Sequence, residues 1–257
     1  MMSQNLDDSV ANGMIIMGVL TFIVLQFVHS PFGKHTSMKT MAFGPLLPAR
    51  ICWFVMECPN LIHIMLRLSD FQSLCPDKPA NFILLVMFGM HYFNRSIIYP
   101  LRMNRKSKPM PLAVMLCALL FCSINGYLQV HDLCYSNRLP EGYCCSIRFL
   151  FGVCIFIGGF LTNLQSDTIL RGLKKQSDDG YRIPRGGMFE FVSCANFLGE
   201  IIEWTGFSIA CRSRASFAFC FFTCCNLIPR AVSHHRWYND HFKDYPLDRN
   251  AVLPYLL

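Results

Sequence analysis

Apolar residues along the chain gather into long blocks separated by short polar segments, most of them basic. Ser9–Gly33, Pro109–His131, Phe149–Ser166 and Ala215–Pro229 contain no Asp, Glu, Lys or Arg. Three further blocks hold isolated charges: Leu46–Leu66 has Arg50 and Glu57, Pro79–Leu101 has Arg95, and Phe191–Ala210 has Glu200 and Glu203. A hydrocarbon core about 30 Å thick is crossed by roughly 20 apolar helical residues. The pattern therefore predicts an all-α, polytopic membrane protein with seven transmembrane helices, the last one short, forming a single domain over residues 1–257. The opening segment "MMSQNLDDSV" is acidic where a cleaved signal would be basic, and no A-x-A site follows it, so the first block reads as a retained span.

Composition agrees with the pattern. Hydrophobic residues make up 53% of the 257 positions and charged residues 15%, against about a quarter charged in soluble domains. Of the 23 Lys and Arg, sixteen fall between spans one and two, three and four, five and six, and after span seven. The positive-inside rule then places the N-terminus in the lumen and the C-terminus in the cytosol. The net charge of +7 is accounted for by this topology, and no nucleic-acid partner is needed. Most of the fourteen cysteines lie within apolar blocks, where they act as small apolar side chains. "CFFTCC" has no histidine or carboxylate beside it, so no metal site is expected. Cys75, Cys134, Cys144 and Cys145 fall in expected lumenal loops, where disulfides form but cannot be paired from sequence.

The polar residues inside spans point to function. An ionisable side chain within a bilayer is costly and marks a functional site or a polar helix contact. Three of the five glutamates (Glu57, Glu200 and Glu203) lie in spans, with Arg95 and Tyr92 in another. In "NFLGEIIEW", Asn196, Glu200 and Glu203 are spaced i, i+4, i+7 and share a helix face. In "TNLQSDTILRGLKK", Asn163, Asp167, Arg171 and Lys174 share another. Two polar faces near the basic side of a bundle suggest a hydrophilic cavity open to the cytosol. "GYRIPRGG" reads as a fixed turn that presents Arg182 and Arg185, whose guanidinium forks suit phosphate. "RAVSHHRWYNDHF" adds Arg230, His234 and Tyr238 just beyond the last span. No G-x-G-x-x-G or G-x-x-x-x-G-K-[ST] occurs, so a nucleotide would not sit in a Rossmann or P-loop unit. The residues alone give a seven-span protein with a basic-rimmed polar cavity for an anionic ligand. They do not specify a reductase.

"HSPFGKHTS", "LPARICWFVMECP", "HYFNRSIIYP", "KPMPL", "INGYLQ", "TNLQSDTILRGLKK", "GYRIPRGGMFEFVSCANFLGEIIEW", "RAVSHHRWY" and "DYPLDRNAVLPYLL" follow one another nearly end to end. Together they resemble the steroid 5α-reductase (3-oxo-5α-steroid 4-dehydrogenase) family, with "IYP", "KPMPL" and "IPRGG" closest to its type 1 branch. The resemblance implies a seven-span enzyme of the endoplasmic reticulum membrane that reduces the carbon 4–5 double bond of 3-oxo-Δ4-steroids with NADPH. The expected partners are the steroid substrate and the lipid bilayer, and no obligate protein partner is evident in the sequence. Residues 1–130 would mainly face steroid and residues 150–257 NADPH. Glu57 and Tyr92 match the pair that holds the 3-oxo group, and Trp53, Arg95, Phe121, Phe222 and Leu227 are expected to line the steroid site. Asn163, Asp167, Arg171, Lys174, Tyr181, Arg182, Asn196, Glu200, Arg230, His234 and Tyr238 match the cofactor-facing set. The chemistry suits these residues, because hydride reaches carbon 5 of an enone only if charge developing on the 3-oxygen is stabilised by preorganised donors. A tyrosine hydroxyl beside a carboxyl kept neutral by burial is such a pair. Three departures bear on substrate preference: Met56 where the family commonly has glutamine, Lys174 for a frequent arginine, and Asn226 where an aromatic residue often lines the pocket. The alternatives are a reductase of another conjugated carbonyl, such as an enoyl thioester or polyprenal, and a non-catalytic sterol-binding protein.

Overall fold

The computed structural model describes residues 2–28, 42–67, 78–104, 107–176 and 181–257, with the side chains of 2–4 and 174–176 outside the description. "HSPFGKHTS", Cys75, Arg105 and the Lys174 side chain therefore lie outside the described residues.

Among the described residues the chain is built of α1 (Met2–Phe27), α2 (Ala49–Leu66), α3 (Pro79–Phe93), α4 (Tyr99–Arg102), α5 (Leu112–His131), α6 (Ile147–Gln176), α7 (Ala195–Cys211) and α8 (Arg214–His241). A π-helical turn, Asn94–Ile98, joins α3 to α4, and another, Asp132–Ser136, extends α5. The result is seven long helical segments. Five of them are long and apolar enough to cross a membrane: Asn5–Phe27, Pro79–Arg102, Leu112–Ser136, Ile147–Leu173 and Arg214–His241. The other two, α2 and the 17-residue α7, carry Glu57, Glu200 and Glu203, and those acids interrupt their apolarity. The outer surface is apolar as well. Ile16, Leu20, Leu120 and Phe151 are each more than half exposed, which water would not favour but lipid does.

Two helices run further than their apolar stretches. The α6 helix continues through Asp167 and Arg171 to Gln176, so the polar face of "TNLQSDTILRGLKK" is helical almost throughout. The α8 helix passes through Pro229 and ends only at His241. A proline removes one backbone donor but does not end a helix that tertiary packing holds. Ser213 caps the start of α8 by accepting from the Ser216 N–H at 3.2 Å.

The most intimate packing is between α6 and α7, and glycine makes it possible. Gly152 and Gly159 on α6 meet Gly206 and Gly199 on α7, each pair seven residues apart. A β-carbon at Gly152 would fall 2.7 Å from the Gly206 oxygen and the Ala210 nitrogen, and one at Gly199 would fall 2.6 Å from the Asn163 nitrogen. Backbones this close leave van der Waals contact as the main association force, as small-residue interfaces do in membranes. Elsewhere α1 lies along α8, and α2 lies along α5. A two-residue antiparallel ladder, Leu46↔Pro111 and Leu47↔Met110, ties the entries of α2 and α5 together.

Three apolar clusters form the interior. The largest includes Leu84, Phe88, Leu128, Phe156, Trp204, Phe207 and Phe219. A second gathers Phe189, Val192, Phe197, Leu198, Leu227 and Val252 around the chain's end. The third holds Cys52, Met56, Met110 and Met115. Met56 therefore belongs to an apolar cluster.

Candidate active site

The polar residues of the spans converge where α2, α3, α5, α6 and α7 meet. The π turn after α3 carries Arg95, which is buried and bonds two acids from different helices. Its guanidinium donates to Asp167 Oδ2 of α6 at 3.0 Å and pairs with Glu200 Oε1 of α7. Asn163 Nδ2 also donates to Glu200 Oε1, at 3.3 Å, and to the Asn196 carbonyl at 2.9 Å. The Arg95 guanidinium further lies 5.2 Å from the Tyr99 ring centre and 5.7 Å from that of Trp53, whose rings meet edge to face. One cation thus joins residues expected on the steroid side (Trp53, Arg95) to residues expected on the cofactor side (Asn163, Asp167, Asn196, Glu200). Burying such charges is tolerated because each has its counter-ion and hydrogen bonds.

Glu203 does something different. One turn below Glu200 and fully buried, its Oε1 lies 2.7 Å from His91 Nδ1 of α3. The His91 ring packs 4.5 Å from the Trp204 ring and 5.0 Å, edge to face, from Tyr92. The two acids of "NFLGEIIEW" therefore serve separate partners. Glu200 closes the Arg95 cluster, while Glu203 holds the residue next to Tyr92.

Tyr92 and Glu57 occupy the other flank. Tyr92 is buried with its ring against Phe88 at 4.6 Å, and its hydroxyl oxygen accepts from Asn125 Nδ2 at 3.0 Å. Glu57 Oε2 accepts from the Cys122 thiol at 3.5 Å, and Glu57 lies within electrostatic reach of both Tyr92 and Arg95. Phe121 and Phe222 stack at 4.0 Å between α5 and α8. Leu227 is placed apart from them, in the cluster with Phe197 and Leu198.

Of the remaining expected cofactor residues, Arg230, His234 and Tyr238 lie in the C-terminal part of α8, and Tyr181 packs against it. Arg230 sits 5.0 Å from the Phe197 ring centre, and His234 packs against the same ring at 5.5 Å. Tyr181 meets Trp237 edge to face at 4.9 Å, with Lys108 Nζ 5.4 Å above the Tyr181 ring. Tyr238 stacks on Tyr245 at 5.3 Å. Arg171 is half-buried within electrostatic reach of Arg102, and Arg182 is exposed.

Sequence reading missed how this end is fastened. Gly186 and Gly187 take positive φ (92° and 54°), and Arg249 donates to the Pro184 carbonyl at 2.9 Å and pairs with Glu190 at 3.4 Å. The Gly186 N–H and then Arg249 hold the Glu190 carboxyl below the ordinary carboxylate range. Its contribution to the turn is therefore full above that range and fades as pH falls through its own lowered value. The tail also bonds backbone to backbone: Ser193 N to Asn250 O at 2.8 Å and Cys194 N to Ala251 O at 3.1 Å. Ser193 Oγ contacts His235 Nδ1 at 2.6 Å and accepts from the Tyr245 hydroxyl at 2.7 Å.

A helical, lipid-facing bundle wrapped around an internal ionic site is the class that this fold and site define. A family model for 3-oxo-5-alpha-steroid 4-dehydrogenase matches residues 108–257. The chain is 41% identical to 3-oxo-5-alpha-steroid 4-dehydrogenase 1 of Bos taurus, over 94% of this chain and 93% of the relative. It is 44% identical to 3-oxo-5-alpha-steroid 4-dehydrogenase 2 of Rattus norvegicus, over 92% and 91%. It is 40% identical to the steroid 5-alpha-reductase DET2 of Gossypium hirsutum, over 94% and 93%. The chain belongs to the 3-oxo-5-alpha-steroid 4-dehydrogenase family and is an oxidoreductase acting on a CH–CH bond. Relatives named type 1 and type 2 match it to a similar degree.

Proposed function

We propose that the protein reduces the carbon 4–5 double bond of 3-oxo-Δ4-steroids, of the testosterone and progesterone type, to 5α-dihydrosteroids with NADPH. The observation that carries this reading is the placement of Tyr92 and Glu57 in a buried site that Arg95 joins to Asp167 and Glu200. Tyr92 donates its hydroxyl hydrogen to the 3-oxo oxygen and Glu57 supplies the second donor. Negative charge arriving at that oxygen is thus met by groups already in place, in a site from which water is largely excluded. Carbon 4 takes its proton from water. Trp53, Phe121 and Phe222 give the steroid its apolar walls.

The donor set suits a dinucleotide phosphate. Arg171, Arg182 and Arg230, with His234 and Tyr238, offer cationic and hydroxyl partners to phosphate groups, and Asn163, Asn196 and Glu200 offer amide and carboxyl partners to the nicotinamide end. When bound, NADPH supplies the hydride that carbon 5 takes up. Residues 1–130 form mainly the steroid half and 150–257 the cofactor half. In this reading all seven long segments span the endoplasmic reticulum membrane, with the N-terminus lumenal and the C-terminus cytosolic, so that cofactor enters from the cytosol and steroid from the lipid.

Microsomes containing the protein test the reading when supplied with testosterone or progesterone and with NADPH or NADH. The expected result is 5α-dihydro product from both steroids, with NADPH strongly preferred. Turnover of an enoyl thioester or a polyprenal, with none of either steroid, would contradict it.

A further inference from the structure

A chain of three buried amides reaches the Tyr92 hydroxyl through its middle member, Asn125, and the established family activity does not account for it. Asn60, Asn125 and Gln129 are each at most 1% exposed. Buried amides must satisfy both ends, and each end has a fixed sense, since the oxygen only accepts and the nitrogen only donates. Two backbone carbonyls settle that sense here. Gln129 Nε2 donates to the Ala215 carbonyl of α8 at 2.9 Å and to Asn125 Oδ1 at 3.3 Å. Asn60 Nδ2 donates to the Glu57 carbonyl at 3.3 Å, which leaves Asn60 Oδ1 facing Asn125 Nδ2 at 3.5 Å. Carbonyls cannot donate, so neither outer amide can turn over without losing its anchor. Asn125 is held between them: a flip would set nitrogen against the Gln129 nitrogen and oxygen against the Asn60 oxygen. Asn125 must therefore donate to the Tyr92 oxygen, as it does at 3.0 Å.

Helix packing preserves this arrangement. Gly126, next to Asn125, lets α5 close on α2, and a β-carbon there would come within 2.9 Å of the Asn60 Cα. The Tyr92 ring is held by Phe88, His91 and Trp204.

We infer that Asn125, locked by Gln129 and Asn60, is a positioning residue that sets the direction of the Tyr92 hydroxyl. Because the amide already donates to the phenol oxygen, the phenol's one hydrogen is kept for the substrate carbonyl. An amide in the opposite sense would capture that hydrogen. The inference rests on the reading of Tyr92 as the donor to the 3-oxo group and adds what makes it one.

The test compares N125D, N125A and Y92F in the full-length enzyme with testosterone and NADPH. Asn125→Asp keeps the shape but turns the donor into an acceptor that takes the Tyr92 hydrogen. Its kcat should fall about 100-fold or more, the scale of losing a preorganised donor. Asn125→Ala only frees the phenol and should cost about 10-fold, the scale of one ordinary hydrogen bond. KM for NADPH should change little in either, and N125D should recover activity at low pH, where a protonated aspartic acid can donate again. A purely structural role gives the reverse order, with the isosteric N125D tolerated better than N125A, and that result would overturn the inference. If N125D does not fold, Gln129→Glu reads the same property. A carboxylate there cannot donate to Asn125, so Asn125 turns over and its oxygen captures the phenol hydrogen. Gln129→Met removes the lock without reversing it. Q129E should lose more kcat than Q129M, and equal losses would count against the inference. Should Y92F retain full activity, the reading of Tyr92 fails instead, whatever the amide variants show.

Discussion

At the scale of single residues, the site works through pairing. Arg95 is the clearest case, because the buried Asp167 and the partly buried Glu200 share it. Removing one member of a buried ion pair typically costs 3–5 kcal/mol, since the partner is left charged and unpaired. Arg95→Ala should therefore lower the thermal midpoint of the detergent-solubilised protein by several degrees and abolish turnover. Arg95→Ala with Asp167→Asn and Glu200→Gln together should regain much of the stability but not the activity. Full stability in the single variant would show that the cluster does not hold the helices together. The individual polar residues were legible in the sequence because a charge inside an apolar block stands out. Their partners were not. Nothing in "NFLGEIIEW" reveals that Glu200 meets an arginine while Glu203 meets His91, because both lie on the same helix face and the choice depends on how α3 crosses α7.

At the scale of elements, the seam between α6 and α7 sets the distances on which the site depends. Asn163, Asp167, Glu200 and Glu203 all project from these two helices, and the glycine contacts bring them together. Gly206→Ala would drive a methyl group into the α6 backbone near Phe156. Overpacking usually costs 1–3 kcal/mol, and backbone cannot relax as a side chain can, so the loss should reach or exceed that range. Affinity for NADPH, measured by calorimetry, should fall with it. Gly158→Ala is the control, because a β-carbon there meets nothing within 4 Å. Equal behaviour of the two variants would remove the seam from the account. The seven-residue spacing of these glycines is present in the sequence. It carried little information there, since glycine is common in membrane helices and its spacing does not name the partner helix. Apolar blocks likewise located the helices but not their ends. Asp167 and Arg171 continue α6, and Pro229 lies within α8, because packing and not local composition decides where those helices stop.

At the scale of the whole molecule, helices of the N-terminal half bring Glu57, Tyr92 and Arg95 against a C-terminal half that carries Asp167, Glu200 and Glu203. The joint between the halves is the Arg95 cluster with the His91–Glu203 contact. Residues near the chain's end fasten the segment before α7 through Arg249 and the Asn250–Ala251 backbone, a role that no pattern in "DYPLDRNAVLPYLL" foretells. In the proposed reaction these halves align a hydride donor with carbon 5 while Tyr92 and Glu57 hold the 3-oxo group. The most direct test is turnover of testosterone with NADPH carrying deuterium at the transferable position, followed by mass spectrometry and NMR of the product. The account predicts one deuterium per molecule, at carbon 5 on the α face, and at least 100-fold slower transfer in Y92F. Deuterium absent from carbon 5, or found on the β face, would contradict it.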